Sequence, residues 1–210
     1  MAHLIGRSRL RALYQDTLNL AVYGRLAPRY AERIWVDVDP SIRSIGKGKK
    51  FRGRVIHEWP PRGAQNVQPI MDLLPIQSCI EHWENNVRWE DTPVFDVLKR
   101  TLTERGSVDG CKSVDDLVRR YRRLDAIFSQ VKIEKRIRSK AEMPGRNFRE
   151  LGGICFHIGP QGEPFFGRLG QHRLAMALIA GISRIPAELG GVYVTSLPML
   201  ADLRNAGGST

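Results

Sequence analysis

A chain of 210 residues with 42% hydrophobic and 26% charged side chains has the composition of a globular protein with one substantial core and room for an extension. Its longest apolar run, Leu174 to Ala180, falls far short of the ~20 residues that span a bilayer, so no transmembrane segment is expected. Three widely spaced cysteines, Cys79, Cys111 and Cys155, argue against a disulfide framework, and a formal charge of +11 points to a polyanionic partner: nucleotide, nucleic acid or anionic lipid.

At the N-terminus, Leu10, Leu13, Tyr14, Thr17, Leu18 and Ala21 recur at helical spacing and predict an amphipathic helix over 7–26, ended by Gly24 and Pro28. It reads as an extension, residues 1–30, that docks on the core or on another subunit. Arg7, Arg9 and Arg11 precede no uninterrupted apolar segment, so no secretory signal is read and a cytoplasmic location is expected. Ile34 to Asp39 alternates apolar and polar side chains and predicts a strand that Pro40 closes. Gly46-Lys47-Gly48-Lys49-Lys50 is glycine-rich and basic but lacks the residue order of a P-loop, and reads as a turn. Arg54 to His57 is short strand material.

Helical patterning begins near Pro69. Ile70, Leu73, Leu74, Ile76 and Ile80 share a face, Thr92-Pro93 offers an N-cap followed by proline, and Ser113-Val114-Asp115-Asp116 opens a third helix whose apolar side runs from Leu117 to Phe128. Trp83 and Trp89 fit a core. Cys79 precedes His82 by three residues, but no second pair at metal spacing accompanies it, so no resident metal site is read. Lys132, Lys135, Arg136, Arg138 and Lys140 form a basic ridge and are the candidates for contact with a nucleic-acid backbone. Gly153 to Phe166 reads as strand, turn, strand, with Gly159 to Gly162 at the turn.

That hairpin leads into Gly167-Arg168-Leu169-Gly170-Gln171-His172-Arg173, after which an apolar helix runs to Gly181 and a short strand forms around Ile185 to Leu189. A glycine-bearing loop that feeds a helix N-terminus suits anions, because the first backbone N–H groups of a helix have no partner and glycines let a ligand approach them. His172 and Arg173 would add donors in the first turn. After Pro198 the pattern fades, and 199–210 is expected to be a flexible tail.

The Gly170 to Ala177 run, with Gly181 and Ile185-Pro186-Ala187 after it, resembles the ParB/sulfiredoxin-like superfamily, whose members carry a Gly-x-x-Arg or Gly-x-His-Arg box at a helix start. The wider pattern is similar to a bacterial group of ParB-like proteins through Trp89-Glu90-Asp91-Thr92, Phe148 to Gly153 and the Gly167 to Arg173 box. The resemblance implies nucleotide-phosphate binding at this loop, by ATP or CTP. Sulfiredoxin chemistry needs a cysteine immediately before the His-Arg pair; Gln171 stands there, which argues against a sulfinic acid reductase.

The fold expected is α+β: a ParB/sulfiredoxin-like domain over 31–198, with a small mixed sheet, packed helices and a helical insertion at about 69–131. Nucleotide binding is assigned to Gly167, Arg168, Gly170, Gln171, His172 and Arg173, with Arg149 and His157 in second place. Phosphoryl transfer or nucleotide hydrolysis, with Mg2+ held by the phosphates, would need a carboxylate, for which Glu150 is the first candidate and Asp37 the next. The alternative is a nucleic-acid-binding or nuclease module acting without sequence preference through the basic patches. The oligomeric state is not legible in the sequence.

Overall fold

The computed structural model of the protein describes residues 2–46, 48–64, 67–145 and 147–205. Lys47 of the glycine-rich turn, Arg146 of the Arg146–Arg149 basic stretch and the last five residues of the expected tail lie outside the described residues. The chain divides into two compact units, one of residues 1–70, 137–170 and 183–210, the other of 71–136 and 171–182. The second unit joins most of the stretch read as a helical insertion, about 69–131, with the helix that follows Gly170. The predicted N-terminal extension belongs to the first unit.

The first unit holds every strand. After helix α1 (Ala2–Tyr23) come β1 (Arg33–Asp37), β2 (Arg43–Ser44), the short helix α2 (Gly48–Phe51), β3 (Arg54–Ile56) and β4 (Gln68–Pro69). The hairpin follows as β5 (Cys155–Ile158) and β6 (Pro164–Phe166), and the sheet is completed by β7 (Arg184–Tyr193). The order is β1-β7-β5-β6-β2-β4, with β3 also paired to β7. The sheet is mixed: β1 lies antiparallel to β7, β5 and β3 parallel to it, and β2 runs parallel to β6. The α+β class is therefore as expected.

Strand β1 alternates exposed and buried side chains as its sequence does, placing Ile34 and Val36 in the core. In the β5–β7 core Phe156, Ile158, Phe166, Ile185, Ala187 and Leu189 are buried, and so are the polar His157 and Glu188 at intervening positions. At ten residues β7 is twice the length read from the sequence. It continues past Leu189 through a bulge at Gly190-Gly191: Phe156 pairs with Leu189 and Ile158 with Val192, so β7 carries one residue more than β5 across this interval. The predicted tail is a helix over part of its length. In α7 (Leu200–Asn205), Leu200 is fully buried and Arg204 pairs with Glu32 at 2.8 Å, a contact 172 residues away that no local pattern reveals.

The second unit packs α3 (Leu74–Trp83), α4 (Pro93–Arg105), α5 (Val114–Glu134) and α6 (Gln171–Ile179) around Phe95, Leu117, Tyr121, Leu174 and Met176. Ser113 caps α5 in a capping box, accepting from Asp116 N while the Asp116 carboxylate accepts from Ser113 N. Thr92 precedes α4 but its hydroxyl donates back to Trp89 O at 2.7 Å; Ser78 Oγ, from α3, takes the Val94 N–H instead. α6 ends in a Schellman arrangement: Gly181, at φ +68°, donates to Leu178 O, and Ile182 N reaches Ala177 O at 2.9 Å.

Candidate functional site

Strands β2 and β6 run parallel with Arg43 opposite Phe165 and Ser44 opposite Phe166, and Ile45 N extends the ladder to Phe166 O at 3.0 Å. Their carboxyl ends therefore lie side by side. The turn that starts at Ile45-Gly46 leaves one strand, and Gly167 to Gly170 leaves the other. The second turn folds back on β5: Gly167 N donates to Cys155 O at 2.8 Å, and Cys155 N to Leu169 O at 3.1 Å. Gly170, at φ +78°, sits so close to the backbone that a Cβ there would lie 2.9 Å from Ile154 Cα, so no larger residue fits. Arg168 also has a left-handed backbone, φ +58°, uncommon for a residue with a side chain. Its Nε donates to Ser44 Oγ at 2.9 Å, and its Cδ packs on Gly46, tying together two segments 124 residues apart.

His157 supports this pair of turns from below. It is fully buried on β5, where Gly191 N, freed by the bulge, donates to Nδ1 at 2.8 Å. Nδ1 is therefore the acceptor, and the proton on Nε2 points at Gly46 O, 3.2 Å away. Burial pushes its pKa down to about 4, against the opposing pull of the Gly46 carbonyl. The absence of a side chain at Gly190 makes room for the ring, since a Cβ there would approach Nδ1 to 2.6 Å. His157 thus positions the Gly46 backbone.

The remaining residues of the expected loop, Gln171, His172 and Arg173, form the first turn of α6 and belong to the second unit. The charged donor expected at His172 is not what this environment holds. Its ring stands edge-on to Tyr121 at 5.5 Å and 90°, Nε2 is buried with no hydrogen-bond partner among the described residues, and burial, aided by the nearby Arg120 charge, lowers the pKa to about 4. At neutral pH His172 is an uncharged, inward-facing ring. Gln171 and Arg173 are half-buried.

The two carboxylate candidates are engaged elsewhere. Glu150 is buried and accepts from Lys140 N with both oxygens, at 3.1 and 2.9 Å. Asp37 is exposed at the end of β1 and pairs with Arg184 at 3.3 Å. Arg149 clamps α1, its Nη1 donating to Tyr30 O and its Nη2 pairing with Asp16 at 2.7 Å. The basic ridge is divided. Lys132, Lys135 and Arg136 lie exposed at the end of α5 in the second unit, Lys132 over the Phe128 ring and Arg136 beside Glu134, whereas Arg138 and Lys140 are half-buried in the first. Among the described residues no group of three metal-ligating side chains is assembled. The three cysteines are free and buried, and burial raises the thiol pKa of Cys79 and Cys155.

Two polar clusters escaped the sequence reading. In the first unit, Glu188 is fully buried in β7; Arg52 bonds it through Nε and Nη2, and Gly152 N donates to it at 3.0 Å. Burial raises the Glu188 pKa, with the Arg52 guanidinium opposing that shift. The signal was present, since a single acid in Ile185-Pro186-Ala187-Glu188-Leu189 has to find a partner. In the second unit, Asp125 Oδ1 accepts from Trp83 Nε1 and Trp89 Nε1 at 3.0 Å and lies 3.1 Å from His82 Nε2, with His82 stacked on Trp89 at 4.0 Å. Asp125 stands on the otherwise apolar Tyr121–Phe128 face of α5, which marks it in the same way.

Comparison with protein-family models, with curated proteins and with solved structures returns no match to this chain.

Proposed function

We propose that the chain binds the phosphate groups of a nucleotide, ATP or CTP in class, where the turns that follow β2 and β6 come together. The observation that carries this reading is the bond from Arg168, in the turn after β6, to Ser44 at the end of β2. Loops that leave the carboxyl ends of neighbouring parallel strands border a crevice, the place where open α/β sheets take phosphate ligands. Glycine at 46 lets the two turns approach one another, and Arg168 brings a cationic side chain to the place where they meet. The likeness of the Gly170–Arg173 box to ParB/sulfiredoxin-like phosphate loops points the same way. Mg2+ would accompany the phosphates, held by them and by water. With Glu150 and Asp37 committed to other partners, the function proposed is binding, as in a nucleotide-responsive switch, rather than phosphoryl transfer.

Thermal unfolding of the full chain with ATP, CTP, GTP, UTP and tripolyphosphate, each with and without Mg2+, tests the proposal. A triphosphate at a hundred times its Kd stabilises a folded protein by about 2.7 kcal/mol, a shift easily read. At least one nucleotide is expected to raise Tm, and Arg168→Ala to remove the response. A flat response to every nucleotide would overturn the proposal. Equal stabilisation by tripolyphosphate, or displacement of the nucleotide by DNA at low salt, would replace it with a general polyanion site.

A further inference from the structure

Helix α1 is fastened to the first unit by its polar face. Gln15 Nε2 donates to the Arg52 and Gly53 carbonyls at 2.6 and 2.8 Å, Asn19 Nδ2 to those of Pro28 and Gly53, and Asp16 accepts from Tyr30 N at 2.7 Å. The apolar face points outward: Leu10 is 71% exposed and Tyr14 70%, and Leu13, Leu18, Leu20 and Val22 are exposed with them. At about 100° per residue, Leu13 to Val22 spread over roughly 200° of the helix circumference. This is wider than the two-position seam that a single partner helix covers.

Charge narrows the choice of occupant. Arg7, Arg9 and Arg11 are exposed on α1, and Asp16, its single acid, is on the fastened face. The outward side of α1 therefore carries positive charge and no negative charge. Beside the helix lies a cleft of about 660 Å³, bordered by Leu13 and Leu20 and by five arginines against two carboxylates. Asp16 and Glu32 are occupied by Arg149 and Arg204, while the side chains of Arg9, Arg25 and Arg29 make no ion pair among the described residues. Arg7 and Arg11 fall within the same arc, so the exposed leucines are interleaved with cations, and with the unneutralised arginines of the cleft they make a surface suited to a partner that is both apolar and anionic.

We infer that α1 and this cleft form a docking surface for membranes rich in anionic phospholipid, the leucines and Tyr14 entering the acyl boundary and Arg9, Arg25 and Arg29 taking headgroup phosphates. Among the described residues no helix is long and apolar enough to cross a membrane, so the contact is interfacial.

Cosedimentation of the full chain with phosphatidylcholine vesicles, with and without phosphatidylglycerol, tests the inference. Binding is expected to the anionic vesicles alone. Leu13→Glu with Leu18→Glu should abolish it, with an unchanged circular dichroism spectrum because both side chains are exposed. In Arg9→Gln/Arg25→Gln/Arg29→Gln, each arginine removed should lower the partition coefficient about fivefold. The inference is overturned by failure to bind anionic vesicles, by equal binding to neutral ones, or by a leucine variant that binds unchanged, which would mean adsorption of charge alone. Self-association in sedimentation equilibrium that the leucine variant abolishes would instead give the face to a second copy.

Discussion

Gly191 N donates to His157 Nδ1 at 2.8 Å, so the bulge in β7 is closed by a side chain rather than by the strand beside it. The imidazole must be neutral to accept that bond, and so stability depends on pH. The pKa values of His157 and His172 are both lowered to about 4, first by burial. The unfolded chain, with histidines near ~6.5, takes up these protons more readily than the folded one. The stability they contribute is therefore complete above that pH and is lost as pH falls toward 4, with a ceiling of order 3 kcal/mol per histidine. Denaturant unfolding at pH 7.5, 6 and 5 should show the decline, and His157→Leu, which has no imidazole to protonate, should reduce its slope. An unchanged slope would remove His157 as its cause.

Arg168 pays for its left-handed backbone, so replacing it should separate folding from binding. Glycine adopts φ +58° without the cost of about 1 kcal/mol that a Cβ incurs. Arg168→Gly is expected to keep or raise the melting temperature of the ligand-free chain and to abolish its response to nucleotide. A variant that is equally stable and still responds would place the phosphate site elsewhere.

The Glu188–Arg52 pair predicts an asymmetry. Arg52→Met strands a buried carboxylate and should cost about 3–5 kcal/mol. Glu188→Gln retains a polar group facing Gly152 N and should cost less. Because burial raises the Glu188 pKa, and removal of Arg52 takes away the influence opposing it, the cost of Arg52→Met relative to the unaltered chain should be smallest at acid pH, where the carboxyl is protonated. That cost should grow as pH rises through the raised value. Chemical denaturation of both variants at pH 5 and pH 8 measures the difference, and equal costs at both would deny the carboxylate this role.

Cys79, Cys111 and Cys155 should be inert in the native protein. All are buried, and burial holds the thiols of Cys79 and Cys155 in the protonated form. A thiol reagent should label none of them before unfolding and all three in denaturant. Rapid labelling of Cys155 under native conditions would show an opening of β5 that the fold does not suggest.

Local chemistry was legible where it was sufficient. Ser113 and Asp116 announce the start of α5, Gly181 the end of α6, and the turn before Glu163 the hairpin, because each is decided within a few residues. The apolar stripe of α1 was also correctly placed on the helix, yet it faces outward, since the inner contacts are made by Gln15 and Asn19 with backbone carbonyls, which leave no periodic trace. α7 is fixed by Glu32, and β7 continues through Gly190-Gly191 because His157 supplies the bond that the bulge loses. At the candidate site the glycine turn was found from its composition. Its partner Ser44 was not, because only the parallel pairing of β2 with β6 brings the two together.

The order of strands bears on how the chain is made. β7 is the shared neighbour of β1, β3 and β5, yet it occupies residues 184–193. While the chain emerges from the ribosome, Arg33 to Ile56 waits for more than a hundred residues with the edges of β1 and β3 unpaired, and only the arrival of Tyr193 allows the sheet to close. The helices of residues 71–136 are synthesised within that interval, and their core is completed only when α6 brings Leu174 and Met176. Nascent chains stalled before residue 184 should therefore be clients for chaperones that shield strand edges.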